Sequence, residues 1–449
     1  MPAAGYYYRY DINQIEARKS HHIGFRRLQM RRRTSGGNYE ASWVTIPERY
    51  VKSWGNIAWD LDNKIVGKYK QSGMNLTLVN VDAFFNDQSD ADSFWYGYGN
   101  RHRTLVRVQA GYLDSVGSSH EYPSDTTMFM GILRDDIEMK DDHTVSLKVD
   151  TLDSIFREMP GDRLSVTALN GGSPYTTLTA ERVIAGIRDW TDGSGTFYFR
   201  NFITNASWSI LSTTANYAGM NTSSSEAFKG ISMWDIIEKM AQAENAVAYI
   251  SPSGVFNFRA RTAPTTAAVY RFAGIGAFDR TYGHNIKTID SYKEAASRII
   301  NRVRVIFGEE DTTTSLYLRQ QSFSWGDGST SDVYGVRQYE LKNSWIANSA
   351  TAQTLGDAIF TEYSGIRYEM DLSTKYIPQV FLLDNVQVTY KSPSPPIGPL
   401  WGYFLWGANT WNRSQPRGFK TFDQKGFQVI GLKHNLDRME SSWKLRETS

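Results

Sequence analysis

The sequence contains no cysteine, which excludes disulfide bonds, thiolate metal sites and cysteine nucleophiles. The absence also fits a protein that assembles in a reducing cytoplasm. No apolar run approaches the roughly 18 residues of a membrane-spanning helix. The N-terminal segment Met1–Tyr8 lacks the apolar core of a signal peptide. We therefore expect neither a membrane span nor a secretory leader.

Net charge is small as well. The 449 residues carry a formal charge of +2, so no overall field directs the chain to nucleic acid or to a membrane. The first 33 residues nevertheless hold eight cations against two acids, Asp11 and Glu16. The cations are Arg9, Arg18, Lys19, Arg26, Arg27, Arg31, Arg32 and Arg33. This asymmetry predicts a basic N-terminal arm over residues 1–39 on a mildly acidic body.

The motifs of common catalytic and metal sites are missing. The sequence has neither His-Glu-x-x-His nor Gly-x-Ser-x-Gly, and its seven histidines do not converge on one face. Acids cluster at Asp135-Asp136, Asp141-Asp142 and Glu309–Asp311, at predicted hairpin ends. Acids solvate turns there, whereas a glycosidase needs two of them converging in a cleft. We expect no catalytic residue, no metal and no cofactor.

The most informative pattern lies at residues 127–159. Alternation through Leu133, a polar turn, and the inward set Val145, Leu147 and Val149 predict a hairpin with one buried face. The period then changes to 3.6, which predicts a short amphipathic helix near 152–159.

Similar patterns organise the rest of the chain. Alternating segments predict a first β-barrel domain over 40–150 and a second over 296–449. Residues 151–295 are predicted to form a small α/β domain with helices near 152–159, 180–190 and 232–245, where Ser232 can cap the third helix. The second barrel would contain one inserted helix, 351–363, and a Trp/Pro-rich loop, 391–426. The predicted fold class is α+β, mainly β, with two antiparallel barrels.

This order resembles the tail hub proteins of tailed bacteriophages. Three segments carry the resemblance. They are 127–159, described above; 231–261, a predicted helix followed by a hairpin with a Pro-Ser-Gly turn; and the closing strands, Leu383–Val388, Val429–Asp437 and Ser442–Leu445. The basic arm and the loop 391–426 depart from the family pattern.

The resemblance implies a structural role without enzymatic activity. Family members form trimers at the tail tip, in which two tube-like barrels per chain give a pseudo-sixfold ring. Such a ring joins the distal tail or tail tube protein to a threefold spike, fibre or tape measure protein. Genomic DNA passes through the centre without sequence-specific binding. The implied location is the virion, after assembly in the host cytoplasm.

Two groups of residues are candidate partner contacts. Arg31, Arg32 and Arg33 could bind phosphate or dock on an acidic neighbouring subunit. Trp401, Trp406 and Trp411 recur every five residues in a proline-rich loop, which could anchor a neighbouring subunit or stack on sugar rings. The second choice corresponds to an alternative function, a carbohydrate- or receptor-binding β protein of the tail tip. A β-rich glycosidase or peptidoglycan hydrolase is a third.

Overall fold

The structure is a computed structural model. The residues that it describes are 24–34, 38–61, 69–86, 89–98, 100–116, 119–121, 127–140, 143–164, 179–191, 198–203, 207–210, 228–260, 268–274, 285–307, 315–320, 334–346, 349–365, 367–390 and 422–448.

Strands dominate the described residues. In chain order they are β1 (Gly24–Arg33), β2 (Val44–Ile46), β3 (Val51–Ser53), β4 (Asn56–Leu61), β5 (Tyr69–Gln71), β6 (Met74–Val79), β7 (Asn100–Tyr112), β8 (Asp114–Val116), β9 (Ser119–Glu121), β10 (Thr127–Lys140), β11 (Thr144–Thr151), β12 (Trp208–Ile210), β13 (Ala246–Ile250), β14 (Phe256–Ala260), β15 (Tyr270–Ala273), β16 (Ile286–Glu294), β17 (Arg302–Phe307), β18 (Ser315–Gln320), β19 (Gln338–Asn343), β20 (Tyr368–Lys375), β21 (Asn385–Tyr390), β22 (Phe422–Asn435) and β23 (Glu440–Glu447). The α-helices are α1 (Asp153–Glu158), α2 (Ala180–Arg188), α3 (Met233–Ala243) and α4 (Ser349–Tyr363).

The first large sheet has the order β2-β1-β7-β10-β11-β6-β3. Its two edge strands, β2 and β3, are consecutive in the chain and only Pro47–Tyr50 separate them. In a flat sheet of seven strands the edges would lie about 29 Å apart. The chain from Ile46 to Val51 can span at most about 18 Å. The sheet must therefore curl until its edges approach each other, as a barrel does.

The second large sheet has the order β15-β21-β22-β23-β20-β16, and Asn285 joins its edges. The Asn285 backbone N–H donates to the carbonyl oxygen of Ala273 at the end of β15, at 3.0 Å. The Asn285 side-chain oxygen accepts from the Ala273 N–H at 2.9 Å, and its amide donates to the Tyr270 hydroxyl at 3.0 Å. Because Asn285 directly precedes β16, these bonds close the sheet on itself.

The two sheets share one strand order. Without β2, the first sheet has six strands. Across the sheet they lie in the order β1-β7-β10-β11-β6-β3. Numbered by their position in the chain, these are strands 1, 4, 5, 6, 3 and 2. The second sheet repeats this order with β15-β21-β22-β23-β20-β16. Each has a central hairpin of a 14-residue and an 8-residue strand. One pair differs, since β1 and β7 are antiparallel whereas β15 and β21 are parallel.

A hairpin from the first half of the chain connects the two barrels. β4 lies between β3 and β6 in sequence, but it pairs with the second half of β22, from Gly431↔Asp60 to Asn435↔Asn56. The Asp437 carboxylate also accepts from the Ser53 hydroxyl at 2.8 Å and the Trp54 N–H at 2.9 Å. Most of the buried apolar residues of the two barrels form a single cluster, whereas Leu105 and Ile132 pack with the α/β unit. Burial of this shared core holds the barrels as one body.

A second apolar cluster forms the small α/β unit. It contains α1 to α4, the sheet β12-β14-β13 and the sheet β18-β17-β19. Ser232 accepts from the Asp235 N–H while the Asp235 carboxylate accepts from the Ser232 N–H, so a capping box begins α3 as the sequence suggests. Among the described residues, no helix is long and apolar enough to cross a membrane.

The predicted fold class, mainly β with two barrels and a small α/β unit, is confirmed. Four details of the predicted organisation are wrong. β15 and β16 lie within the predicted α/β range 151–295 but belong to the second barrel. β4 and β5 lie within the predicted first-barrel range 40–150 but join the sheet of the second barrel. Residues 24–33 are not part of an arm, because they form β1 and pair with β7. β17, β18 and β19, predicted as part of the second barrel, belong to the α/β unit, because their buried side chains pack with α3 and α4.

We predict that Asn285→Ala lowers the free energy of unfolding by about 2–4 kcal/mol, because it leaves the buried N–H of Ala273 without its acceptor. Urea denaturation measures the change. The exposed Asn75→Ala should cost less than about 0.5 kcal/mol. Equal losses in the two variants would contradict the closing role of Asn285.

A pH dependence arises from Asp384, at the turn where Arg259 of the α/β unit meets the second barrel. Burial raises the pKa of Asp384 to about 6, although the Phe381 N–H and Arg259 act to lower it. This pKa lies above the pKa of the same carboxyl group in the unfolded chain. The protonated Asp384 therefore contributes to the free energy of unfolding at pH 4, and this contribution is lost as the pH rises through 6. Between pH 4 and 7 the free energy of unfolding of the wild type should fall by about 2–3 kcal/mol more than that of Asp384→Asn, which has no carboxyl group to ionise. The exposed Asp423→Asn should follow the wild type, and an Asp384→Asn profile parallel to it would refute the assignment.

Candidate functional site

The surfaces that a barrel offers to partners are its outer walls, because its interior is filled. In the first barrel Leu28, Leu76 and Val106 are fully buried, and in the second barrel Val388 and Leu445 are too. Barrels of this strand number have room only for side chains. Phe85 and Trp95, in the connection between β6 and β7, pack into the same core. A nucleic-acid duplex can therefore run beside these barrels but not through either of them.

The outer wall of the first barrel carries arginines at alternating positions of β1 and on β7. Leu28 and Met30 face the core, so Arg27, Gln29 and Arg31 face outward. Arg107 stands opposite Gln29 on β7. Its guanidinium donates to the Gln29 side-chain oxygen at 2.9 and 2.5 Å and lies 4.3 Å from the centre of the Trp43 ring.

Arg32 points the other way and holds the chain that comes after β1. Its guanidinium donates to both carboxylate oxygens of Glu40, at 3.0 and 2.6 Å. It also donates to the Tyr98 hydroxyl at 2.8 Å and stacks on the rings of Phe94 and Tyr98. Burial raises the pKa of Glu40, but the hydrogen bonds from Arg32 and Tyr98 outweigh it and keep that pKa below its usual range. Arg32 therefore links β1 to Glu40 and Tyr98 within the first barrel.

The three candidate arginines are therefore separated by the pleat of β1. Arg31 lies outward, where it donates to the Glu40 carbonyl oxygen at 2.8 and 2.6 Å, and Arg32 lies inward. Arg33 comes after a register shift and pairs with Asn100. Their role as partner contacts stays a prediction. Trp401, Trp406 and Trp411 lie outside the described residues.

The outer wall of the second barrel is also polar, and it carries ion pairs and hydrogen bonds to carboxylates. Lys444 Nζ lies 3.0 Å from Asp60 Oδ2, which joins β23 to β4. The Ser291 hydroxyl donates to Asp371 at 2.6 Å, and the Ser373 hydroxyl donates to Asp290 at 3.0 Å. A shallow depression of about 270 Å³ lies among these side chains. Nearby, the buried Arg446 contacts the carboxylates of Glu362 and Glu369.

None of these surfaces assembles a catalytic constellation in the described part of the chain. No group of three His, Asp or Glu is placed there to hold a metal ion. Asp141-Asp142 and Glu309–Asp311 lie outside the described residues, and Asp135-Asp136 lie in β10, where only the backbone is described.

Three residues of the first wall, Arg27, Arg107 and Trp43, are not identified by sequence reasoning. The sequence pattern places Arg27 only in an arm, and Arg107 lies far from it along the chain. The sequence carries one signal for these residues: Gly24–Arg33 and Asn100–Tyr112 are both rich in arginine and contain no acidic residue. Only the register of β1 with β7 brings them together.

No family model matches the sequence, and neither does any curated protein. Among solved structures, a tail protein from Neisseria meningitidis has 10% identity and a TM-score of 0.47, covering 94% of this chain and 96% of its own. The 43 kDa tail protein of prophage MuSo2 from Shewanella oneidensis has 10% identity and a TM-score of 0.47, with coverages of 94% and 98%. Prophage tail protein gp18 from Listeria monocytogenes has 9% identity and a TM-score of 0.47, with 94% of both chains covered.

Chains of a phage P2 baseplate and of a PdpA–VgrG complex match too. The TM-scores of these neighbours lie below 0.5, so the role of this chain has to be inferred from its own strands and contacts.

We predict that Arg32→Gln lowers the free energy of unfolding by about 1–3 kcal/mol, because it removes the ion pair to Glu40 and leaves that carboxylate half-buried. Denaturant titration at neutral pH is the measurement. The exposed Arg438→Gln is the matched control and should change stability by less than about 0.5 kcal/mol. Equal losses of unfolding free energy in the two variants would show that the contacts of Arg32 do not stabilise the fold.

Proposed function

We propose that the chain is a non-enzymatic hub subunit of a phage tail tip or baseplate. Three copies would form a ring that joins the sixfold tail tube or distal tail protein to threefold spike, fibre or tape measure components. The observation that carries this proposal is the shared strand order of the two barrels.

Symmetry links the two barrels to such a ring. A chain with two barrels of the same strand order offers two similar modules to its neighbours. Three such chains in a closed ring present six similar modules while the ring itself keeps threefold symmetry. Such a ring can meet a sixfold partner on one side and a threefold partner on the other. Three chains with one barrel each would present only three modules, and such a ring would match a threefold partner but not a sixfold one.

Rigidity supports the same role. An adaptor must hold its two modules at a fixed spacing, and the β4–β22 pairing and the common core do this here. Both cores are packed with side chains, so a path for DNA would run between copies of the chain. The ring would then surround the genomic DNA, with polar outer walls facing it and without sequence-specific binding.

The location that goes with this role is the virion tail tip, assembled in the host cytoplasm. No reaction is assigned to the chain. The alternative, a carbohydrate- or receptor-binding protein, depends on Trp401, Trp406 and Trp411, and no contact of the described residues favours it.

The mass of the purified chain tests the proposal. Sedimentation equilibrium between about 1 and 50 µM should give a species of three times 51.0 kDa, either alone or after the tail tube protein of the same particle is added. Association is expected because a hub subunit completes its surface only with its neighbours. A chain that remains monomeric under both conditions would refute the ring.

A further inference from the structure

The large exposed hydrophobic side chains of the described residues form two groups. They are Val81, Tyr96, Met139, Leu318 and Val336, each between 43% and 71% exposed. The first three lie at one end of the first barrel, and the other two lie at the small sheet β18-β17-β19 of the α/β unit. Exposed apolar side chains that cluster at a few places are typical of surfaces that a partner covers.

Strand register places Val81 and Met139 at the same end of the first barrel. Thr144 on β11 pairs with Val79 on β6 and with Lys140 on β10, so the ends of β6 and β10 lie on either side of β11. Val81 follows β6 by two residues, and Met139 directly precedes Lys140. The two side chains are therefore parts of one end surface.

The connection from β6 to β7, Asn80–Tyr98, contributes Tyr96 to this end. Phe85 and Trp95 anchor the connection, because both pack into the barrel core. The Asn80 side-chain oxygen also accepts from the Phe85 N–H at 2.7 Å. Tyr96, which directly follows the buried Trp95, is thus held on an ordered segment. A partner that binds a pre-ordered side chain loses less conformational entropy.

The same connection contains acids but no cation. The acids are Asp82, Asp87, Asp90 and Asp92. Neutral groups hold two of the carboxylates: Asp82 accepts from the Tyr50 hydroxyl, and Asp90 accepts from the Asn86 amide at 2.8 Å. These hydrogen bonds keep the pKa of both carboxyl groups below their usual range, so both are ionised at neutral pH. We name this surface, with Val81, Tyr96, Met139 and the aspartates, the acidic end.

The small sheet β18-β17-β19 presents arginines beside its exposed apolar side chains. The buried side chains of β17 pack with α3 and α4, so Arg302 and Arg304 lie on the opposite side of the sheet. Leu318 stands opposite Arg304 on β18, and Val336 lies two residues before β19.

The charge of this sheet is mainly positive. Its three strands contain four cations and one acid, Glu340, which pairs with Arg304 at 3.3 Å. The buried Nε–H groups of Arg302 and Arg304 have no acceptor among the described residues. We name the side of the sheet with Arg302, Arg304 and Leu318, together with Val336, the basic sheet.

Two unlike surfaces on one chain suit a ring. The acidic end belongs to the first barrel and the basic sheet to the α/β unit, so each copy of the chain carries both. Apolar centres with charges of opposite sign are complementary. Contact between unlike surfaces repeats from copy to copy and closes into a ring, whereas a surface that binds itself gives a twofold dimer.

We infer that the acidic end of one copy docks on the basic sheet of the next copy. The inference rests on the proposed function, in which copies of the chain form a closed ring. Tyr96 would pack with Leu318 at the centre of the contact, and the aspartates would meet Arg302 and Arg304. Nucleic acid does not suit the acidic end, because its phosphates carry the same charge. A basic surface of another protein is the competing occupant.

Exchange of the charges tests the inference by sedimentation of the full-length chain, alone and with the tail tube protein. Asp90→Lys, Asp92→Lys reverses the acidic end, and Arg302→Glu, Arg304→Glu reverses the basic sheet. Each pair alone places like charges at every contact and should raise the concentration for half-assembly about tenfold or more. A chain with all four substitutions has opposite charges at every contact again and should recover most of the association.

Two further variants keep the test clear. Tyr96→Ala removes an exposed side chain and should weaken association about tenfold or more, because tyrosine is a common anchor at interface centres. The matched control Asp162→Lys, Asp423→Lys reverses two exposed acids outside both surfaces and should associate like wild type. Thermal melting of each variant verifies that it is folded.

The outcomes separate the contact from the ring. A trimer that is unchanged by Asp90→Lys, Asp92→Lys would overturn the inference, leave the ring in place and assign the acidic end to another protein. A folded chain with all four substitutions that does not associate would overturn the inference as well. Dimers or open chains that are lost on reversal and regained on exchange would support the contact and refute the threefold ring. A wild-type chain that is monomeric under both conditions would refute both.

Discussion

The pairing of β4 with the second half of β22 is the contact on which the arrangement of this molecule depends. It joins Asp60 to Gly431, 371 residues further along the chain, and so builds a strand from the first half into the second barrel. β3 and β6, which flank the β4–β5 hairpin in sequence, stay in the first barrel. A chain that leaves one barrel, adds a strand to the sheet of the other and returns cannot let the two move far apart. The common apolar core is a consequence of this geometry.

Each barrel has room for insertions at the same place. Between its second and third strands the first barrel carries the β4–β5 hairpin, and the second carries β17 to β19 with α4. The first insertion fastens the barrels together, while the second joins the α/β unit. Equal strand order therefore coexists with different attachments. Ion pairs occur on both barrels, Arg26–Glu48 and Arg32–Glu40 on the first and Lys444–Asp60 and Lys287–Glu440 on the second.

Much of this fold is local and could be predicted from the sequence. The hairpin β10–β11, the four helices and the cap at Ser232 each arise from a pattern within about thirty residues. β1 could not be recognised because only Leu28 and Met30 show the inward period among five arginines, and a run of like charge is typical of an arm. The exchange of β4 could not be found, because its partner is remote in sequence. Likewise, Val303, Val305 and Phe307 alternate as a barrel strand would, and only packing against α3 and α4 shows where they belong.

The central claim is that one chain supplies two rigidly joined barrels, so that three chains fill the six positions of a closed ring. Electron cryo-microscopy of the assembled tail tip, reconstructed without imposed symmetry, tests it most directly. The account predicts three copies of this chain, whose first and second barrels alternate at one radius and one height around a central channel. Barrels at different heights, or a copy number other than three, would contradict it.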